Sequence, residues 1–367
     1  MKRRHFLHNL AHVAAAPTIF SSLAFDKLDF SSNSFLSNTI EDGKIIVIIK
    51  MDGGNDGLNT VIPLDQMTAL SNARPHVILP ENKIVSLNSS DLGLHPALSD
   101  FKTLFNEDRL KIIQNVGYPT PDFSHFRSMD IWQSASDSNQ YLTSGWMARY
   151  IEDRHPSYPE EYPNEKYPHP LAVEMGWQSA LLFTGKKSFT SFLARNPTNF
   201  QEIINEFDNE YPSDNKGNKL KYLQLIAKQS NIYSKIIKEK YENGKNTFSY
   251  GNSNLERQLE IVSQLISGGL KSRIYFVEIG GFDTHDTQVD QSDRTKGQHA
   301  SLLKELNDAV TTFIKNLDAS GHSDNVMTMT FSEFGRTIVS NGSNGTDHGT
   351  AAPLFVFNLG ILFPLFI

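Results

Sequence analysis

Three short apolar runs constrain this chain most. Lys44-Ile45-Ile46-Val47-Ile48-Ile49-Lys50 is a run of apolar β-branched residues without alternation, and Arg273 to Ile279 and Val326 to Phe331 also read as strands. A strand with one face in water alternates apolar and polar side chains, whereas a strand covered on both faces has no reason to. Leu110 to Gly117 and Leu171 to Met175 read as further strands, and Pro353 to Phe357 as the last. Between them, Leu255, Leu259, Val262, Leu265 and Ile266 fall on one face of a helix that Gly268-Gly269 ends, and Leu302 to Leu317 has the same periodicity. Helices are also expected from Leu94 through Phe105, from Ser124, and from Trp146. The recurring unit is strand, glycine-containing loop, helix. It predicts an α/β fold, a doubly wound and mostly parallel sheet with helices on both faces. One such domain is expected over residues 43–367, with a polar helical insertion at about 196–254 packed over the sheet.

Composition narrows the chemistry. The net charge is −7 and no long basic stretch occurs, which argues against a nucleic-acid binder built on clustered Lys and Arg. The chain has no cysteine, so disulfides, thiolate ligands and cysteine nucleophiles are excluded. Any metal must be held by His, Asp, Glu or Asn. At the N-terminus, Lys2-Arg3-Arg4-His5-Phe6-Leu7 precedes a modest apolar run that Pro17 interrupts. This is the pattern of a twin-arginine signal over residues 1–25, and the run is too poor for a membrane span. Residues 26–42 read as a Ser/Asn-rich linker. The expectation is a protein exported by the twin-arginine translocase to the periplasm or cell surface, folded and metal-loaded before export.

Ligands bind in open α/β sheets beyond the carboxyl ends of the strands. Here those ends carry carboxylates and imidazoles, which suit divalent metals. The first strand opens onto Asp52-Gly53-Gly54-Asn55-Asp56-Gly57. Arg273 to Ile279 opens onto Asp283 and His285, and Val326 to Phe331 onto Ser332-Glu333-Phe334-Gly335-Arg336, with Asp347-His348 following between Gly345 and Gly349. Ser124 stands where a helix begins. Its hydroxyl either caps the helix or lies in the positive field that favours an anionic ester, with His125 beside it and Arg127 one turn on. His95 is read as a capping or packing residue.

These motifs, with Gly145-Trp146, resemble an exported family known as domain of unknown function 1501, sulfatase-like and related to the alkaline phosphatase superfamily. The resemblance implies a doubly wound sheet with one or two divalent metals at the strand ends. Asp56, or else Asp52, would be the ligand from the first loop; Asp283, His285, Glu333 and His348 would complete the set, with His125 and Asp347 as secondary candidates. Phe334 stands where many members place an imidazole and cannot ligate, so a single ion, Zn, Mn, Ca or Mg, fits better than two. Ser124 would be the nucleophile, and Arg127 or Arg336 would neutralise the anionic group. The activity implied is metal-dependent hydrolysis of phosphate or sulfate esters, with a small anionic ester or a sulfated or phosphorylated glycan as substrate. The alternatives are a non-catalytic exported binding or assembly protein on the same fold, or an inactive truncated product. The last rests on the unpunctuated apolar tail Leu359 to Ile367, where the family usually runs on into a glycine-rich segment.

Overall fold

Both faces of the central strand are covered, as its composition requires. The computed structural model describes residues 43–88, 90–199 and 213–358; the expected signal and linker, residues 200–212 of the insertion and the tail at 359–367 lie outside the described residues. In chain order the first half contains β1 (Ile45–Asp52), α1 (Gly57–Thr60), β2 (Val61–Pro63), α2 (Met67–Ala73), β3 (Val85–Ser86), β4 (Leu92–Leu94), α3 (Ser99–Asn106), β5 (Leu110–Gly117), α4 (His125–Ser134) and α5 (Trp146–Arg154). There follow β6 (Ala172–Glu174), β7 (Ser191–Leu193), α6 (Asn215–Asn243), α7 (Asn254–Ser267), β8 (Ile274–Gly280), α8 (Gln298–Ser320), β9 (Val326–Ser332), β10 (Gly335–Ser340), β11 (Thr346–Gly349) and β12 (Ala351–Phe357).

The main sheet has the order β5-β12-β9-β1-β8-β6-β7. β1 pairs in parallel with β8 on one side and β9 on the other, and β6 continues the parallel array between β8 and β7. β12 runs antiparallel to both β9 and β5, so β5 points the same way as β1. The fold class is therefore the expected α/β, with one reversed strand. β10 and β11 form a separate two-stranded ribbon.

Alternate side chains of β1 enter different cores. Val47, Ile49 and Met51 pack with Leu259 and Val262 of α7 and Leu306 and Phe313 of α8, while Ile46 and Ile48 pack with Trp132 of α4 and Met147 and Ile151 of α5. This division explains the absence of alternation in the sequence. α7 starts with a capping box, in which Ser253 receives the Glu256 N–H and the Glu256 carboxylate receives the Ser253 N–H. The polar insertion contains the long helix α6, whose Ile237 joins the α7–α8 core. Among the described residues no helix is long and apolar enough to cross a membrane.

β8 and β9 flank β1, so the loops beyond their carboxyl ends approach the β1 loop from both sides. β5 adds its own loop and the start of α4 at the same rim.

One carboxyl near this rim is pushed toward its acid form by the fold. Glu174, at the end of β6, is buried; its oxygens accept from Ser191 Oγ and from the Ala180 N–H at 2.7 Å, yet burial pushes its pKa up to about 7. A raised carboxyl pKa gives stability that is present at low pH and lost as pH rises to about 7. Glu174→Gln is expected to match the parent at pH 4 and to exceed it at pH 8 by on the order of 2 kcal/mol, read from urea denaturation at the two pH values.

Candidate metal centre

The loops at the rim are bound together by one guanidinium. Arg336, on β10, has a fully buried side chain. Its Nε donates to the Gly54 carbonyl at 2.9 Å and its Nη1 to the Thr346 carbonyl at 3.1 Å. Its Nη2 lies against the Gly53 carbonyl (2.5 Å), the Phe282 carbonyl (2.9 Å) and Asp283 Oδ1 (2.6 Å). The β1 loop, the β8 loop and the ribbon thus share one cation. Gly53 and Gly54 take φ of +119° and +81°, and a Cβ on Gly53 would run into the Asp283 backbone nitrogen. The two glycines let three loops meet closely enough for one side chain to reach them all.

Four residues converge above this guanidinium. Asp283 Oδ1 lies 3.3 Å from His125 Nε2, 3.2 Å from His285 Nε2 and 3.3 Å from His348 Nε2. His125, Asp283 and His348 offer ligand atoms mutually within 4.8 Å, the spacing of a group that could hold a metal ion. His285 stands beside them, its Nε2 2.8 Å from His348 Nε2. Burial pushes the Asp283 carboxyl up, but the bond from Arg336 and the charges of His125 and His285 outweigh it and hold it below the usual carboxylate range.

The far nitrogen of each imidazole is fixed by a group that only accepts. His125 Nδ1 lies 2.8 Å from Glu333 Oε1, His285 Nδ1 3.1 Å from Asp347 Oδ1, and His348 Nδ1 2.6 Å from the Phe123 carbonyl oxygen. In the neutral rings each Nδ1 therefore carries the proton and each Nε2 presents a lone pair to Asp283. Three lone pairs aimed at a carboxylate oxygen repel unless a cation shares them. His125 Nε2 is moreover buried and makes no hydrogen bond, although Asp283 is near. Separations of 3.2 to 3.3 Å match donors sharing one small divalent ion, each about 2.0–2.1 Å from it. The donor set and its outer acceptors thus fit a divalent ion. The Glu333 bond raises the pKa of His125, whereas burial lowers that of His348.

Several expected site residues lie elsewhere. Asp56 is buried apart from the cluster; it caps α1 through the Leu58 N–H and forms an ion pair with Arg74, while Gln288 Nε2 donates to it at 2.5 Å. Its charge is already neutralised, so the first loop supplies no ligand from Asp56. Asp52 is partly buried beside Lys50, 3.9 Å away, and does not join the group either. Glu333 is fully buried and turned to the Nδ1 side of His125, behind that ring. The anion-binding roles expected of the two arginines do not fit: Arg336 is enclosed as described, and Arg127 is buried with its Nη2 on the carbonyls of Asp137, Ser138 and Gln140. Asp347 holds His285, and Ser124 is the exposed N-cap of α4, accepting the Arg127 N–H at 3.5 Å. His95 caps, accepting the Ala97 N–H at 3.1 Å. Phe334 is fully buried and packs on His125 and His348, with centroids 4.9 and 4.6 Å away.

Sequence reasoning undervalued His125 and missed Arg74. His125 had a signal, since it is the first residue of a helix starting at the rim. Arg74 had none, because nothing near it in sequence marks a partner 18 positions back.

Residues 193–357 match the model of a family described as protein of unknown function (DUF1501). The match bears out the family resemblance over that stretch, which includes Asp283, His285, Glu333, Arg336 and His348 but not Ser124 or His125. No curated protein matches the chain. A solved structure, the C-terminal periplasmic domain of EcEptC from Escherichia coli in complex with Zn, is similar over 86% of this chain and 73% of that one, at 10% identity and a TM-score of 0.37. A likeness that distant carries no argument about the site.

Two outcomes follow from this geometry. Burial opposes ionisation of Asp56, but Arg74 and the Gln288 amide outweigh it and hold the carboxyl below its usual range. That stability is present above the unfolded pKa and lost as pH falls through the folded one. Arg74→Met is expected to cost about 3–5 kcal/mol at pH 7, with the deficit shrinking below about pH 4 as Asp56 protonates, measured by denaturant melts across pH. Arg336→Lys replaces a planar fork by a point charge that cannot reach all five acceptors. It is expected to lower stability by about 1–3 kcal/mol and to increase hydrogen exchange at Gly53, Gly54 and Asp283 more than elsewhere.

Proposed function

We propose that the chain is an exported hydrolase of phosphate or sulfate esters that works with one divalent ion held by His125, Asp283 and His348. The observation that carries this reading is the convergence of three imidazole Nε2 atoms on one carboxylate oxygen, each ring fixed from behind by an acceptor. When bound, such an ion polarises an ester oxygen and lowers the pKa of a coordinated hydroxyl or water. Asp283 offsets the charge of that ion and is itself held in register by Arg336. The first turn of α4, a ten-residue helix that begins at His125, turns its positive end toward the same place and favours an anionic group there.

Ser124 is the proposed nucleophile. It lies between two residues that touch the cluster, Phe123 through its carbonyl to His348 and His125 directly. It is exposed, and its Oγ only accepts in the capping bond, so that bond does not engage the hydroxyl hydrogen. Attack by Ser124 Oγ on phosphorus or sulfur would break the bond to the substrate's alcohol, which leaves with a proton, and water would then cleave the resulting serine ester to release phosphate or sulfate and restore the hydroxyl. Arg127 and Arg336 are given no part in holding the substrate, because both side chains are buried, with Arg127 Nη2 on carbonyls and Arg336 on carbonyls and Asp283.

Metal analysis of the purified full chain, with a panel of aryl phosphates and sulfates, tests this reading. About one ion per chain is expected, with turnover of one ester class. Asp283→Ala and His348→Ala are expected to lose both, and Ser124→Ala to keep the ion while turnover falls by about 10²-fold or more. A chain that holds no divalent ion and turns over neither class would overturn the proposal.

A further inference from the structure

We infer that Glu333 is a positioning residue rather than a ligand: it fixes His125 in the tautomer that aims Nε2 at the centre, and does so from a socket built by β1 and β9. This rests on the proposed metal reading and assigns Glu333 a role different from the one its place in the sequence implies. Glu333 Oε1 accepts from the Gly53 N–H at 2.8 Å and faces His125 Nδ1 at 2.8 Å, while Oε2 lies 3.2 Å from Ser332 Oγ. The carboxylate is fully buried. Its neighbours are tied down in turn, since Ser332 Oγ donates to the Met51 carbonyl (2.8 Å) and accepts the Asn55 N–H (3.0 Å). The two nitrogens of an imidazole point away from each other across the ring. A carboxylate at Nδ1 therefore cannot share an ion with Nε2 of the same ring.

The position of the ring is fixed as well as its proton. Phe334 lies against one side of His125 and occupies the space that a side chain on Gly54 would need. Glu333 and Phe334, adjacent in sequence, thus hold one imidazole by its edge and by its face. His285 and His348 have lesser counterparts, an exposed carboxylate on Asp347 and a backbone carbonyl on Phe123. Only His125 is anchored by a side chain with no access to solvent, so its aim depends most on one replaceable group. A buried carboxylate behind a ligating imidazole also makes that ring a better donor.

The test is zinc titration of the full chain against a chromophoric competitor, for the parent, Glu333→Gln and His125→Ala, with ring-nitrogen NMR of His125 in metal-free protein. Glu333→Gln keeps the shape and one acceptor oxygen but removes the charge. It is expected to keep the melting behaviour of the parent, to weaken zinc binding about 10- to 100-fold, and to convert the His125 signals from the Nδ1-protonated form to a tautomer mixture. His125→Ala is expected to weaken binding further. Unchanged affinity and unchanged His125 signals in a folded Glu333→Gln protein overturn the inference while leaving the metal reading intact. A loss larger than that of His125→Ala, with the His125 signals unmoved, overturns it by making Glu333 a ligand. Parent-level zinc binding by His125→Ala, or no binding by the parent, sinks the metal reading itself.

Discussion

The geometry of the rim depends on burying one guanidinium. Arg336 has no exposed side-chain surface, and its donors meet oxygens from the β1 loop, the β8 loop and the ribbon. A buried cation is tolerated only when it is paired and its hydrogen-bonding groups are satisfied. Moving any one of those loops leaves a buried N–H without an acceptor. The cost is local and steep, so the loops move together or not at all. Asp283 is held to this assembly by the same guanidinium, and through Asp283 the three imidazoles share a common reference point.

Two carboxylates that look equivalent in sequence have separate fates because of where the arginines fall. Asp56 and Asp283 both follow a buried strand and a pair of glycines. Asp56 turns inward and meets Arg74 in a region without solvent, near His299, whose pKa burial lowers to about 4. Asp283 meets Arg336 but keeps about half of its side-chain surface exposed, among imidazoles. One pair stabilises the base of the loop. The other leaves a carboxylate oxygen available above it. At Asp56, Arg74 already supplies the positive charge that a cation would otherwise bring.

Much of the fold was legible because strands buried on both faces are short, apolar and rich in β-branched residues. β1, β8 and β9 were found within a residue or two, and the amphipathic faces of α7 and α8 marked what covers them. α8 begins four residues before its apolar periodicity does, which brings His299 into the helix and toward the β1 loop; periodicity cannot mark a turn whose inward residue is polar. The reversed direction of β12 was not legible, because a buried strand has the same composition in either direction. At the site, Asp283, His285 and His348 stood out as Asp and His directly beyond a strand or within a glycine-flanked turn. Glu333 was found but given the wrong neighbour, since sequence places a carboxylate at a strand end without saying which side of an imidazole it faces.

The sequence by itself determined the layer architecture, the rim on which chemistry could occur, and the kinds of donor available there, because hydrophobic periodicity and the lack of cysteine are properties of the chain alone. Only the tertiary structure decided which donors meet. The nearest partners here are commonly separated by more than fifty positions, as with Asp283 and Arg336, or by more than two hundred, as with His125 and Glu333. Those pairings are set by strand order and by the burial of charge, neither of which leaves a local mark in the sequence.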